Sequence, residues 1–276
     1  MTTTLDALTR ESGTFVMVAM DQRESLRTMF RAAGVDDGDE RVERFKVAVA
    51  RELAPHASGF LIDRDHAEAV APLVARGLIL AVDVLEQERG GPVEDTSLDE
   101  RVEPPPGVVA LKLLVIWRDD ARRRDRIETA RRFVALARTH GLLSVLEPVV
   151  RDDARIADAA EELGAVRPSL YKCQVPNGGR GDQAEITRRC REIDAVLPVP
   201  WVVLSQGVEP ADFPRAVEAS CKGGASGTLA GRAVWTPAVG ADDPTEILRA
   251  HSVPRLRELA AIVDAHGRPW RDKAAG

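Results

Sequence analysis

Only five lysines stand among the 38 basic residues of this chain: Lys46, Lys112, Lys172, Lys222 and Lys273. Arginine fills nearly every other basic position. Lys172 lies in SLYKCQVP (169–176) and Lys112 in VVALKLLVIW (108–117), two apolar runs that read as buried β-strands. A lysine kept inside a strand does what arginine cannot. It becomes a neutral amine, which attacks a carbonyl to give a Schiff base. Two such lysines suggest one nucleophile and one neighbour whose charge keeps the first neutral. Glu147, in LLSVLEPVV (142–150), adds a carboxylate for general acid–base work on a third apolar run.

These groups need strands to carry them. Eight apolar runs recur: 14–20, 58–63, 78–82, 108–117, 142–150, 169–175, 200–207 and 225–231. Amphipathic, helix-like stretches such as 124–141, 154–165 and 212–225 separate many of them. About eight β–α units in 276 residues predict a single (β/α)8 barrel over 1–276, with a doubly wound open sheet as the alternative. No G-x-G-x-x-G follows the first run, which weakens the dinucleotide-binding form of that alternative. The segment 86–107 predicts an exposed polar loop, with room for a short helix, and 266–276 predicts a frayed terminus.

Barrel enzymes place their sites at the carboxyl ends of the strands. That rule yields Asp21, Gln22 and Arg23 after the first run, then Asp63 and Asp83, both expected as caps or loop residues. Lys112, Glu147 and Lys172 follow on three consecutive runs, with Ser205-Gln206-Gly207 and Gly231-Arg232 after the last two. Asp21 also suits a helix cap. ASGTLAGRAVW (225–235) is glycine-rich and opens into a short helix. With Gly207, Gly231 and Arg232 it suits a phosphate, since such barrels often bind phosphate after strands seven and eight. Strand alternation turns Tyr171 and Cys173 outward if Lys172 and Gln174 point inward. The arginine-rich runs 118–126 and 187–194 read as solvated helix faces or turns.

Composition excludes several classes. A net charge of −6 argues against non-specific nucleic-acid binding. No apolar run reaches membrane-spanning length, and three cysteines fit a reducing cytoplasm better than a disulfide scaffold. None of the five histidines ends a strand, so no metal or other cofactor is expected.

Taken together, AMDQRESLRTMF (19–30), ALKLLVIWR (110–118), LEPVVR (146–151), LYKCQVP (170–176), WVVLSQGV (201–208) and SGTLAGRAVW (226–235) resemble the class I aldolases that cleave tagatose 1,6-bisphosphate. Within that family the likeness is closer to enzymes acting on 6-deoxy-6-sulfofructose 1-phosphate. The resemblance implies a (β/α)8 barrel whose Schiff-base lysine matches Lys172. It matches Asp21 and Gln22 at strand one, Lys112 at strand four and Glu147 at strand five, with Ser205 and Arg232 on the phosphate. Three departures lie near the substrate mouth: Gln174 where a glutamate is common, Gln206 where the sulfosugar enzyme has serine, and a shorter loop after Arg151. The implied reaction splits a phosphorylated ketose into dihydroxyacetone phosphate and an aldehyde, the distal anion meeting Gln22 and Arg23. The expected assembly is a homo-oligomer. A sugar-phosphate isomerase or epimerase, and a non-catalytic sugar-phosphate sensor, are the alternatives from other classes.

Overall fold

The computed structural model describes residues 3–274. Eight parallel strands close into a barrel: β1 (Phe15–Met20), β2 (Gly59–Asp63), β3 (Leu78–Ala81), β6 (Val108–Trp117), β7 (Leu143–Val150), β8 (Leu170–Cys173), β9 (Trp201–Val203) and β10 (Gly227–Ala230). Their order around the barrel is β1-β10-β9-β8-β7-β6-β3-β2. The last strand meets the first with Phe15 opposite Gly227. Gly227 has φ 139°, and a Cβ there would sit 1.9 Å from the Phe15 carbonyl oxygen, so the seam closes only with glycine.

Alternation sorts the side chains. Phe15, Met17, Leu61, Ile79, Ala110, Val145, Leu170, Val202 and Leu229 fill the lower interior, with Leu5 and Leu8 beneath them. Phe60, Leu111, Leu146, Tyr171, Cys173 and Trp201 belong to the larger core between strands and helices. Tyr171 is therefore a packing residue, as the alternation requires. Helices Asp39–Leu53, Arg123–Thr139, Ile156–Gly164, Gln183–Val196, Phe213–Lys222 and Val253–His266 form the outer layer. No helix among the described residues is long and apolar enough to cross a membrane.

Three expectations need correction. The stretch 86–107 is not simply an exposed loop. It holds most of an antiparallel hairpin of β4 (Asp83–Gln87) and β5 (Val93–Leu98), which replaces a helix between β3 and β6. Arg126, in a run expected to be solvated, is buried and donates from Nε (3.2 Å) and Nη2 (2.9 Å) to Asp95 of β5. Nor is the end of the chain frayed through 274. Trp270–Ala274 is helical, Trp270 N–H donates to the Gly13 carbonyl at 3.0 Å, and Lys273 pairs with Asp194 at 3.0 Å.

Candidate active site

Lys112, Glu147 and Lys172 project inward from adjacent strands, just above the apolar plug. Each follows an apolar inward residue by two positions: Ala110, Val145 and Leu170. All three are nearly inaccessible, at 1%, 6% and 3% exposure. Lys112 Nζ lies 2.8 Å from Asp21, 2.9 Å from Glu147 and 3.2 Å from Asp83. Burial opposes its charge, but Asp21, Asp83 and Glu147 together push its pKa well above the usual lysine value. Lys112 therefore remains an ammonium ion. Burial also opposes the charge of Asp21, yet Lys112, Lys172 and Arg23 hold its carboxyl well below the ordinary carboxylate range.

Among the described residues Lys172 has a single close carboxylate: its Nζ lies 3.0 Å from Glu147 Oε2. The same oxygen is 2.9 Å from Lys112, yet neither contact has hydrogen-bond alignment, so this buried oxygen keeps a lone pair for a moving proton. Lys112 is thus held by three carboxylates and Lys172 by one.

A cleft of about 330 Å³ opens over this cluster, lined by Asp21, Asp83, Lys112 and Glu147 among others. Lys172 meets it through Glu147. Arg232 enters from the other side on the short helix Arg232–Trp235. Trp235 fixes that helix by donating its indole N–H to the Ala19 carbonyl at 2.9 Å. Burial lowers the Arg232 pKa, and among the described residues no carboxylate pairs with it. A desolvated, unpaired guanidinium is costly unless an anion arrives. Ser205 Oγ accepts from the N–H groups of Gly231 (3.3 Å) and Ala233 (3.5 Å), which ties the β9 and β10 ends together.

The other expected residues divide. Gln22 turns toward Gly231: its Nε2 lies 2.9 Å from where a Gly231 Cβ would be. Arg23 turns the opposite way, donating to the Asp83 carbonyl at 3.0 Å and pairing with its carboxylate at 3.2 Å. Gly207 is exposed, with φ 79°, and lies outside the cleft lining. Gln206 lines the cleft. Gln174 accepts from Val150 N–H at 2.6 Å, bracing β8 against the end of β7.

Asp83 and Asp63 are corrected from caps to buried ion-pair partners. Asp83 joins the cluster. Asp63 is paired instead with Lys46, and its Oδ1 lies 2.7 Å from His66 Nδ1. Sequence reasoning gave Lys46 no role. Its signal was a scarce lysine on the apolar face of helix Asp39–Leu53, beside Phe45 and Val49.

A closed parallel barrel with a lysine–glutamate pair at the carboxyl ends of its strands has the architecture of a Schiff-base aldolase. Residues 15–237 match the DeoC/LacD family aldolase profile, and the chain belongs to that family of class I aldolases, which are carbon–carbon lyases. The tagatose 1,6-diphosphate aldolase of Listeria monocytogenes serotype 4a (strain HCC23) is 26% identical, covering 98% of this chain and 93% of that protein. The barrel is similar to a fructose-bisphosphate aldolase from Plasmodium falciparum solved with TRAP and an inhibitor (TM-score 0.73, 14% identity, 95% of this chain and 93% of that one). It is also similar to an archaeal fructose 1,6-bisphosphate aldolase (TM-score 0.63, 20% identity, 95% and 98%). At these identities the structural likeness concerns the fold.

Proposed function

We propose that this aldolase cleaves a ketose 1-phosphate through a Schiff base on Lys172. The observation that carries the reading is the 3.0 Å contact between Lys172 Nζ and Glu147 Oε2, beside a second lysine locked by three carboxylates. Lys172 attacks C2 as the free amine. Glu147 relays protons as the carbinolamine forms and loses water to give the iminium. Glu147 takes the C4 hydroxyl proton, the C3–C4 bond breaks, and its electrons enter the iminium to form an enamine. The aldehyde leaves, the enamine is protonated at C3, and water releases dihydroxyacetone phosphate. Asp21 orients a substrate hydroxyl, and the surrounding carboxylates stabilise the cationic iminium. The 1-phosphate sits on Arg232, with the Ser205 and Gly231 loops around it and Gln22 beside them; Gly207, exposed and outside the cleft lining, takes no part.

The preferred substrate is 6-deoxy-6-sulfofructose 1-phosphate, which gives sulfolactaldehyde as the second product. Its support is the likeness of AMDQRESLRTMF and ALKLLVIWR to sulfosugar aldolases. A second reading, tagatose or fructose 1,6-bisphosphate, is favoured by the name of the Listeria relative. Dihydroxyacetone phosphate release from the three sugars, measured side by side, tests the choice. Higher kcat/KM on the sulfonate is expected. Higher efficiency on either bisphosphate reverses the substrate assignment, and release from none rejects the aldolase reading of the site.

A further inference from the structure

The cleft extends beyond the reactive cluster to a region with no role so far. There its wall is the β4–β5 hairpin and the end of β7, including Val93, Val149 and Arg151. Strand order gives it a direction. Arg232 follows β10, Lys172 lies on β8, Glu147 on β7, and β9 is the only strand between β10 and β8. A sugar fixed by its phosphate at Arg232, with C2 at Lys172, therefore runs on toward β7 and the hairpin.

Four cations line the cleft: Arg23, Lys112, Arg151 and Arg232. Lys112 is enclosed by carboxylates, Arg23 is ion-paired with Asp83 although its buried Nη2 has no aligned hydrogen bond, and Arg232 faces the 1-phosphate end. Arg151 is the one of the four that is exposed, at the hairpin end. Its side chain is 48% exposed, and among the described residues only Nη2 is engaged, with the Val93 carbonyl at 3.1 Å and Glu94 at 3.2 Å. A guanidinium has five N–H donors in a planar fork, so an incoming anion finds unused ones. The arginine is also well placed mechanically. Gln174 holds the preceding Val150 N–H, and the hairpin opposite is anchored by Arg126 on Asp95 and by Thr96 Oγ1 donating to the Leu114 carbonyl at 2.8 Å. Glu94 can yield its place, since Arg118 lies 3.6 Å from it as an alternative partner.

We propose that Arg151 is the specificity-determining receptor for an anion at the distal end of the sugar, and that Glu94 is the counter-ion which this anion displaces. The inference rests on the ketose 1-phosphate reading. It moves distal recognition away from Gln22, which faces Gly231, and from Arg23, which is held by Asp83. The substrate class is a ketose 1-phosphate ending in phosphate or sulfonate.

The test compares Arg151→Gln and Glu94→Gln with the unaltered enzyme on fructose 1,6-bisphosphate, 6-deoxy-6-sulfofructose 1-phosphate and fructose 1-phosphate. For Arg151→Gln the preference for an anionic over a hydroxyl-ended sugar should collapse about tenfold to a hundredfold, mostly through KM, as loss of a charge-assisted pair predicts. Glu94→Gln should raise that preference. The larger loss between phosphate and sulfonate identifies the distal group recognised. If Arg151→Gln slows all three sugars alike, or Glu94→Gln produces the same defect, Arg151 merely holds the hairpin and the proposal is overturned. Calorimetric binding of the same sugars to Lys172→Met, with and without Arg151→Gln, reads the preference without turnover. Loss of discrimination there supports the anion site even if the cleavage chemistry is assigned wrongly, whereas unchanged discrimination overturns it.

Discussion

The two ends of the barrel interior use the same strands for opposite purposes. Ala110, Val145 and Leu170 belong to the buried apolar plug, whereas Lys112, Glu147 and Lys172, two positions further along each strand, form the charged cluster. Two residues in a strand are about 6.6 Å. Over that distance the interior changes from a layer that favours folding to one that opposes it, because desolvated charges stabilise little even when paired. The lower layer holds the barrel closed. The upper layer uses that rigidity to keep two lysine nitrogens on one carboxylate oxygen.

The sharpest way to break this contrast is to remove one charge from the upper layer. Lys112→Met leaves Asp21, Asp83 and Glu147 buried without their shared ammonium. A broken buried pair costs about 3–5 kcal/mol, so the urea midpoint should fall markedly, along with activity. In the lower layer, Leu170→Ala should cost about 2–5 kcal/mol by leaving a cavity, yet the folded enzyme should retain most of its kcat. A large kcat loss there, at temperatures where the variant is folded, would show that the layers are not separable.

Smaller effects sharpen the contrast. Arg232→Ala should raise KM for every phosphorylated substrate, in line with about 1.5–3 kcal/mol for a charge-assisted hydrogen bond. An unchanged KM would place the phosphate elsewhere. Acid should attack the charged end first. Asp21 has a depressed folded pKa, so its contribution to stability is complete above the unfolded carboxylate value. It is lost as pH falls from about 4 through the lower folded value. Titrating Lys112→Met alongside the unaltered chain should show a weaker acid dependence in the variant. Equal dependence would assign acid sensitivity to other carboxylates. The smallest expected effect is that of EDTA, because an ammonium already occupies the centre of the Asp21–Asp83–Glu147 triangle. Activity lost to chelation and restored by zinc would contradict this.

The sequence made the centre of the site legible because its charges interrupt apolar runs. Lys112, Glu147 and Lys172 could be read that way, and alternation alone faced Tyr171 outward. Asp83 escaped because β3 is short and the hairpin begins at once, so the residue looked like a strand-end cap. The hairpin itself was hidden by composition. Its strands carry Glu86, Asp95, Thr96 and Ser97, most of their side chains are exposed or half-buried, and the apolar alternation is weak. Lys46 and Asp63 were obscured for a different reason: a helix lysine and a strand aspartate do not announce each other across the intervening residues. The ordered chain end depends on Trp270, whose contacts with Gly13 at the foot of the barrel exist only after the barrel closes.

We propose that Lys172, and not the equally buried Lys112, carries the covalent chemistry. Reduction with borohydride in the presence of a ketose 1-phosphate, followed by peptide mass spectrometry, tests it directly. The expected result is a triose phosphate adduct on Lys172 in the unaltered enzyme and none in Lys172→Arg, which should also lose turnover because a guanidinium does not give up its proton. An adduct on Lys112, or near-normal cleavage by a variant lacking Lys172, would contradict the account.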